Sequence, residues 1–588
     1  MNGELPEGTV PPDTSAGSIS EPAPTAAPPT DAEAGETNTN SVHDSPNSSQ
    51  ASRFLQASTF GPNSDSIGEL VQIGYSDWIK SQLDKPVVSI VDRATPILSS
   101  DYRANAKTGV RTHVPISLFY ENAILGEGQL RARAAYSLSQ VFVVSADEGG
   151  IYFDGLGVSR YMDILQEGAF GNFRDLLEEV TYSPVMGEFL TYKGNRKANP
   201  VTGAAPDENF AREIMQLFTI GLYELNLDGT LKFDEQGQPI ETYSNQDVLE
   251  LAKVFTGLSF DGIPFDTDPE SILSQSRTKR MAMFDEHHSI GPKTFLGQTI
   301  PATYSGEESI ERALDILFQH PNTAPFISRL LIQRLTTSNP SPSYVERVAT
   351  AFESGSFRLP DGDVIGSGMR GDLPAVWAAI LLDREFLELS EVDSRTFGKV
   401  REPVLRWTHW ARAANVPAFN ALSGDQTVDE LGIDHADQGR LGQRAFSAPS
   451  VFNFYRPGYI AAGSRTAEAG LVAPELQITT ATSVVAYANF MVQFVFRDPG
   501  QSNGSGVELG LVGDYSQEIE IANDPDALIE RLDLLYTAGR MTDDTKLEVS
   551  RVINSVMLED DEDFERLRDR VQLAVQLIVV SPEFIVQQ

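Results

Sequence analysis

Residues Asp207–Leu222 read DENFAREIMQLFTIGL. Phe210, Ile214, Leu217 and Phe218 recur at three- and four-residue intervals, the period of a helix that buries one face. Asp207, just after Pro206, has the residue type that caps a helix N-terminus. Glu208 with Arg212, and Asn209 with Glu213, are each four residues apart and are predicted to meet on one helix face. Acid, amide and guanidinium groups thus occupy the first turns of an otherwise apolar helix. Two readings fit that placement: an internal ion-pair network that anchors the fold, or the lining of a site.

Outward from this segment the same period repeats. Helices are predicted from Ile67, Leu130, Phe173, Asn245, Ser309, Thr323, Tyr344, Asp372 and Asp563, each with apolar residues at intervals of three and four. The fold class that follows is all-α, a multi-helix globular body with one small β-hairpin. That hairpin is read from TLKFDEQGQPIETYS, Thr230–Ser244, where two extended runs flank a Gly-containing turn. It directly follows the Asp207–Leu222 helix and is placed as a lid beside it. The longest uncharged run, LQITTATSVVAYANFMVQFVF from Leu476, has the length of a membrane span but carries Thr, Ser, Gln and Asn; it reads as a buried core helix. Segments near residues 260–275, 415–443 and 498–514 are rich in Gly, Pro, Asp and Ser and read as surface loops. A division into two lobes, about 51–280 and 281–588, falls in the loop before Met283.

Residues 1–50 are a different material: Pro, Ser, Thr, Ala, Gly, Asn and acids, without a single Lys or Arg. Such a segment cannot bury enough apolar surface to fold and is expected to be a disordered tail or stalk. The chain as a whole has a formal charge of −38 over 588 residues. Binding a polyanion requires concentrated Lys and Arg, so nucleic acid and anionic membrane are set aside as main partners. The absence of cysteine removes disulfides, thiolate metal sites and cysteine nucleophiles.

Among groups that could carry chemistry, His287 and His288 stand out, because the chain has only seven histidines and these two follow Asp285 and Glu286. Adjacent imidazoles diverge, so a metal centre there needs further ligands, with Glu208, Asp207 and Glu213 as the natural oxygen donors. Such a mixed set suits a divalent metal such as zinc, iron or manganese. The alternative is a pair that hydrogen-bonds a tight turn before Gly291 and Pro292. Lys293 either holds an anionic group or pairs with one of the many acids. Glu208, Asn209, Arg212, Glu213 and Lys293 form the candidate catalytic set, and Arg334, Asn339, Arg401, Glu402, Asn453 and Tyr455 are read as a further polar cluster. Arg401 and Glu402 are expected to bridge to the acids of the Asp207–Leu222 helix. Common enzyme signatures are missing: His-Glu-x-x-His, Glu-x-x-His pairs, Gly-x-Ser-x-Gly and the Walker sequence. GSGMRG from Gly366 matches Gly-x-Gly-x-x-Gly only formally, since Asp372 and Pro374 look like an ordinary helix start.

DENFAREIMQLFTIGL resembles the signature of the bacterial family known as Domain of Unknown Function 1800. Other segments resemble that family in order: RFLQASTFGP from Arg53, QLRARAAYSLSQVFVVS from Gln129, AFGNFRDLLEEVTYSPVMG from Ala169, VFTGLSF from Val254, HHSIGPKTFLG from His287, QRLTTSNPSPSYVERVA from Gln333, GKVREPVLR from Gly398 and PSVFNFYRPGY from Pro449. This chain departs from the pattern at Ser289, where relatives often carry Asp. The resemblance implies export to the periplasm or cell surface, with the tail as a stalk; a cytoplasmic protein is the alternative. It also implies a partner of the sulfatase-like type encoded beside relatives. The expected function is a binding or assembly protein with a buried polar cluster, and the alternative is a metal-dependent hydrolase or oxidoreductase using His287, His288, Glu208 and Glu213.

Overall fold

The computed structural model describes residues 43–101, 112–151, 154–267, 274–388, 395–417, 440–498, 511–558 and 563–588. Most of the tail, and the central parts of the three predicted surface loops, lie outside these residues. The first helices are α1 (Ser48–Ser58), α2 (Ser64–Leu83), α3 (Ile90–Asp101), α4 (His113–Leu125), α5 (Gln129–Ser139), α6 (Gly155–Gly168), α7 (Phe173–Thr181) and α8 (Pro184–Phe189). There follow α9 (Asn209–Gln216), α10 (Asn245–Ala252), α11 (Gly306–Gln319), α12 (Thr323–Leu335), α13 (Pro342–Ser354), α14 (Leu373–Leu381), α15 (Arg384–Leu387) and α16 (Pro403–Ala413). The longest later helices are Ala481–Val495, Asp543–Ile553 and Phe564–Val579. One connected set of buried apolar side chains extends from Ala51 to Phe584, on both sides of the predicted cut near Met283.

Local sequence explains where many helices begin. Asn47, Asn63, Ser244, Ser305 and Thr480 each close a capping box with the residue three positions on, satisfying amides that the helix itself cannot pair. Ser341 caps α13 and Asp372 caps α14, so GSGMRG leads into an ordinary helix start. The ordered body starts before residue 51. The Asp44 carboxylate accepts from the Ser76 amide and hydroxyl, both at 2.8 Å, and its carbonyl accepts from the Tyr75 amide at 2.9 Å. That contact sits at Gly74, where φ of +82° kinks α2.

The β content is small. Two-stranded antiparallel pairs join Leu258–Phe260 to Met281–Met283, Lys293–Phe295 to Gln298–Ile300, Phe357–Arg358 to Val364–Ile365, and Lys399–Val400 to Val586–Gln587. The predicted hairpin is present through the Phe233–Pro239 bridge around the Asp234–Gly237 turn, but a third run joins it, with bridges Tyr223–Glu241 and Leu225–Leu231. Asn322 staples this meander to α12: its side-chain amide donates to the carbonyls of Ile220 and Tyr223 and accepts from the Leu225 amide.

The Asp207–Leu222 helix is shorter than expected. It runs from Asn209 to Gln216, with Asp207 accepting from the Asn209 amide at 2.8 Å and Glu208 in the cap position. Its apolar face is anchored by Phe210, stacked on Tyr192 at 3.9 Å and edge-on to Phe255 at 4.7 Å. The helix predicted from Leu476 is Ala481–Val495, and it is only half buried. Tyr487, Phe490, Met491 and Phe494 pack inward while Val484, Val485 and Val492 are exposed. Among the described residues no helix is long and apolar enough to cross a membrane.

One close approach fixes how α1 leads into the rest. Gly61 has φ of +130°, and a Cβ there would lie 2.5 Å from the His409 Cα. Its carbonyl accepts from the Arg412 side chain at 2.6 Å, tying this turn to α16. Gly61→Ala combines a strained backbone with a clash against main chain, and is expected to cost about 3 kcal/mol of stability, measured as a lowered urea midpoint with unchanged slope.

Candidate functional site

The centre of the molecule is polar. Glu402, fully buried, caps α16 just ahead of Pro403, so its carboxylate sits near the positive end of the helix dipole. Four side chains donate to one of its oxygens, Oε2: Gln443 at 2.5 Å, Gln140 at 2.7 Å, Tyr455 at 2.8 Å and Tyr136 at 3.3 Å. Gln443 also accepts from the Val404 amide at 3.1 Å, so a single amide both caps α16 and holds its terminal carboxylate. Among the described residues Glu402 Oε1 has no hydrogen-bond partner.

Cations surround this carboxylate. Lys399, also fully buried, donates to the carbonyls of Gln333 and Arg334 at 2.9 Å each and lies 3.2 Å from a Glu475 oxygen. Arg133 donates to Ser137 and to the Arg334 carbonyl. The Arg334 guanidinium lies over the Tyr455 ring at 5.0 Å. Burial alone would raise the Glu402 carboxyl, but the charges of Lys399 and Arg133, with donation from Gln443 and Tyr455, hold it below its ordinary value. Burial dominates in the neighbouring pair: it lifts the Glu475 carboxyl and depresses the Lys399 ammonium, although each favours the other's charge.

Of the predicted polar cluster, the structure brings Arg334, Glu402 and Tyr455 together. Arg401 and Glu402 do not bridge to the acids of α9. Arg401 points the other way, donating to Gln56 at 2.8 Å and to His409 Nδ1 at 2.9 Å, and stacking over Phe584. Because His409 accepts at Nδ1, its Nε2–H donates to the Leu535 carbonyl at 2.9 Å, and burial with Arg401 nearby keeps the ring neutral. Asn339 exchanges two hydrogen bonds with the backbone of Val472. Asn453 is buried in a left-handed turn with φ of +62°, and its side-chain nitrogen has no partner among the described residues.

The groups on α9 separate as well. Glu208 and Arg212 pair at 2.5 Å on the part-exposed face, as their spacing predicts. Asn209 does not meet Glu213; it reaches toward Thr191 at 3.5 Å. Glu213 is 6% exposed, has one oxygen without a partner among the described residues, and is pushed up to about 7 by burial. His287 faces the Phe265 ring at 4.0 Å and Arg196 at 3.2 Å, whereas the buried His288 donates from Nδ1 to the Thr256 carbonyl at 2.8 Å. Lys293 is buried and meets Ser309 at 3.3 Å, in no ion pair with an acid among the described residues. Among those residues no group of three His, Asp or Glu side chains is placed to hold a metal ion.

Arg133, Tyr136, Gln140, Lys399, Gln443 and Glu475 escaped the sequence reading. Two signals were present. Arg133, Tyr136 and Gln140 fall at i, i+3 and i+7, one stripe along α5 and its C-cap, and Lys399 precedes Glu402 by three residues.

The protonation of Glu213 carries a sign. Its folded carboxyl titrates higher than the ordinary Glu value, so between about pH 4.5 and 7 the native state holds a proton that the unfolded chain has released. Stability should fall by up to about 3 kcal/mol across that window. Glu213→Gln should remove this slope, leaving the variant more stable than the parent at pH 8 and similar to it at pH 4; urea unfolding at both pH values checks it.

A sequence profile described as Protein of unknown function (DUF1800) matches residues 53–586. No curated protein and no solved structure matches the chain. The match covers nearly all of the helical body, from the RFLQASTFGP segment of α1 to the final strand, and the chain belongs to the family Domain of Unknown Function 1800.

Proposed function

We propose that this chain is a binding or assembly protein, exported to the periplasm or cell surface, that engages a protein partner through the loop Pro449–Tyr459. The observation that carries this reading is the division of labour within the loop. Tyr455 is buried and bonded to Glu402, whereas Phe452, Phe454, Arg456 and Tyr459 stay partly exposed, with Arg456 over the Phe452 ring at 4.6 Å. Aromatic and Arg side chains dominate interface hot spots, and a loop already held in place loses less entropy on binding. The charge of −38 favours a neutral or basic partner surface over nucleic acid. The composition of residues 1–50 suits a stalk, and a sulfatase-like protein encoded near relatives is the partner proposed.

A second reading, a metal-dependent enzyme, is favoured by His288. Its Nδ1–H is fixed on a backbone carbonyl, which leaves Nε2 as the free lone pair, the orientation adopted by metal-ligating histidines. Glu213, titrating near neutrality, would supply an acid or base.

One experiment separates the two. The purified protein and its Phe452→Ala, Arg456→Ala double variant are titrated with such a sulfatase-like protein, and the same preparation is analysed for zinc, iron and manganese. The assembly reading expects binding that weakens at least about tenfold in the variant. Unchanged binding in the variant contradicts the loop assignment; no binding, with near-stoichiometric metal, overturns the assembly reading in favour of the enzyme.

A further inference from the structure

Away from that loop, the segment His288–Lys293 holds two buried polar groups whose hydrogen-bonding capacity the protein does not use. His288 is 4% exposed, and because Nδ1 donates to the Thr256 carbonyl, Nε2 is the unprotonated nitrogen of a neutral ring; among the described residues it has no partner. Lys293 is 2% exposed, and among the described residues its three N–H donors meet a single acceptor, the Ser309 hydroxyl at 3.3 Å. Lys293 and Lys197 are cationic neighbours of His288 and Asp285 an acidic one, whereas Lys253, a cationic neighbour of Lys293, is paired with Glu250 at 2.6 Å. The segment thus holds a buried ammonium that pairs with no acid among the described residues. It lies just under the surface, since Ile290 and Pro292 between the two residues are exposed.

The local backbone builds this arrangement. Gly257 has φ of +92°, and a Cβ there would lie 2.9 Å from the Phe284 carbonyl and 3.2 Å from the His288 amide, so its bare Cα lets the His288 segment lie against the turn after α10. Thr256 then fixes the other side: its carbonyl sets the His288 ring, and its hydroxyl accepts from the Ser289 amide at 2.9 Å. The two unused groups have opposite needs. Lys293 offers protons and positive charge; His288 Nε2 offers a lone pair and requires a donor.

We propose that His288 and Lys293 form a binding site for a small oxyanion that also carries a hydroxyl proton, the anionic oxygens facing Lys293 and the hydroxyl donating to His288 Nε2. Hydrogen phosphate and α-hydroxycarboxylates share that chemistry. Sulfate and acetate have the charge but no hydroxyl proton at neutral pH, so they leave Nε2 buried against an acceptor or unpaired. A site built to receive a hydroxyl rejects an analogue lacking it far more strongly than charge alone would allow.

The test is isothermal titration calorimetry of the full chain at neutral pH with four probes: inorganic phosphate, sulfate, glycolate and acetate. The proposal expects phosphate to bind at least about tenfold more tightly than sulfate, or glycolate than acetate; which of the two pairs responds identifies the source. Lys293→Met and His288→Phe should each weaken that binding at least about tenfold. The proposal is overturned if none of the four binds, if sulfate and acetate bind as well as their hydroxyl-bearing counterparts, or if both folded variants bind like the parent. The comparison among probes uses the parent protein alone and stands even where a variant does not fold.

Discussion

A carboxylate fully removed from water is the constraint around which the centre of this protein is arranged. Ionised, Glu402 would carry a desolvation penalty of several kcal/mol with nothing to offset it. The fold answers with four donors on one oxygen, the N-terminus of α16 and two buried cations, Lys399 and Arg133. The partners come from three separate parts of the sequence: α5 with its C-cap sends Arg133, Tyr136 and Gln140, the strand before α16 sends Lys399, and the segment after it sends Gln443 and Tyr455. One charge thereby ties together elements that lie up to several hundred residues apart.

The surrounding structure protects that centre. The C-terminal strand pairs with Lys399–Val400, and the Ile585 carbonyl accepts from the Arg401 amide at 2.7 Å, so the end of the chain closes over the start of α16. On the opposite side Arg401 and His409 form a second buried polar layer against α1, closed by Gln56 and Phe584. Two buried polar layers thus flank the first turns of one helix. The layer around Glu402 reaches out through Tyr455 to an aromatic loop; the layer around Arg401 faces wholly inward.

Much of the fold was legible in the sequence because helices announce themselves locally. Apolar spacing and capping residues such as Ser244, Ser305 and Asp372 fixed where several helices run. The errors arose where tertiary contacts override local pattern. Asn209 and Glu213 have the spacing of a pair, yet Glu213 turns inward and Asn209 reaches Thr191. Val484, Val485 and Val492 look like core residues, because composition alone does not say which side of an apolar helix meets protein. The candidate site was legible in pieces. Glu402, Tyr455 and Arg334 stood out as polar residues in strongly patterned segments, but Tyr455 reaches Glu402 across 53 residues and lies under the Arg334 guanidinium, contacts that no local period encodes. The stripe of Arg133, Tyr136 and Gln140 was readable in principle, and was obscured by the alanines around it.

The claim that Glu402 organises the loop through Tyr455 can be measured as an energy. A double-mutant cycle of Glu402→Gln and Tyr455→Phe, followed by urea unfolding at neutral pH, isolates the coupling between the two side chains. A buried bond to an ionised carboxylate predicts that the two changes are non-additive by at least about 1 kcal/mol. Additivity to within about 0.3 kcal/mol would contradict it, and would mean that the aromatic loop is held by its apolar packing and not by the buried charge.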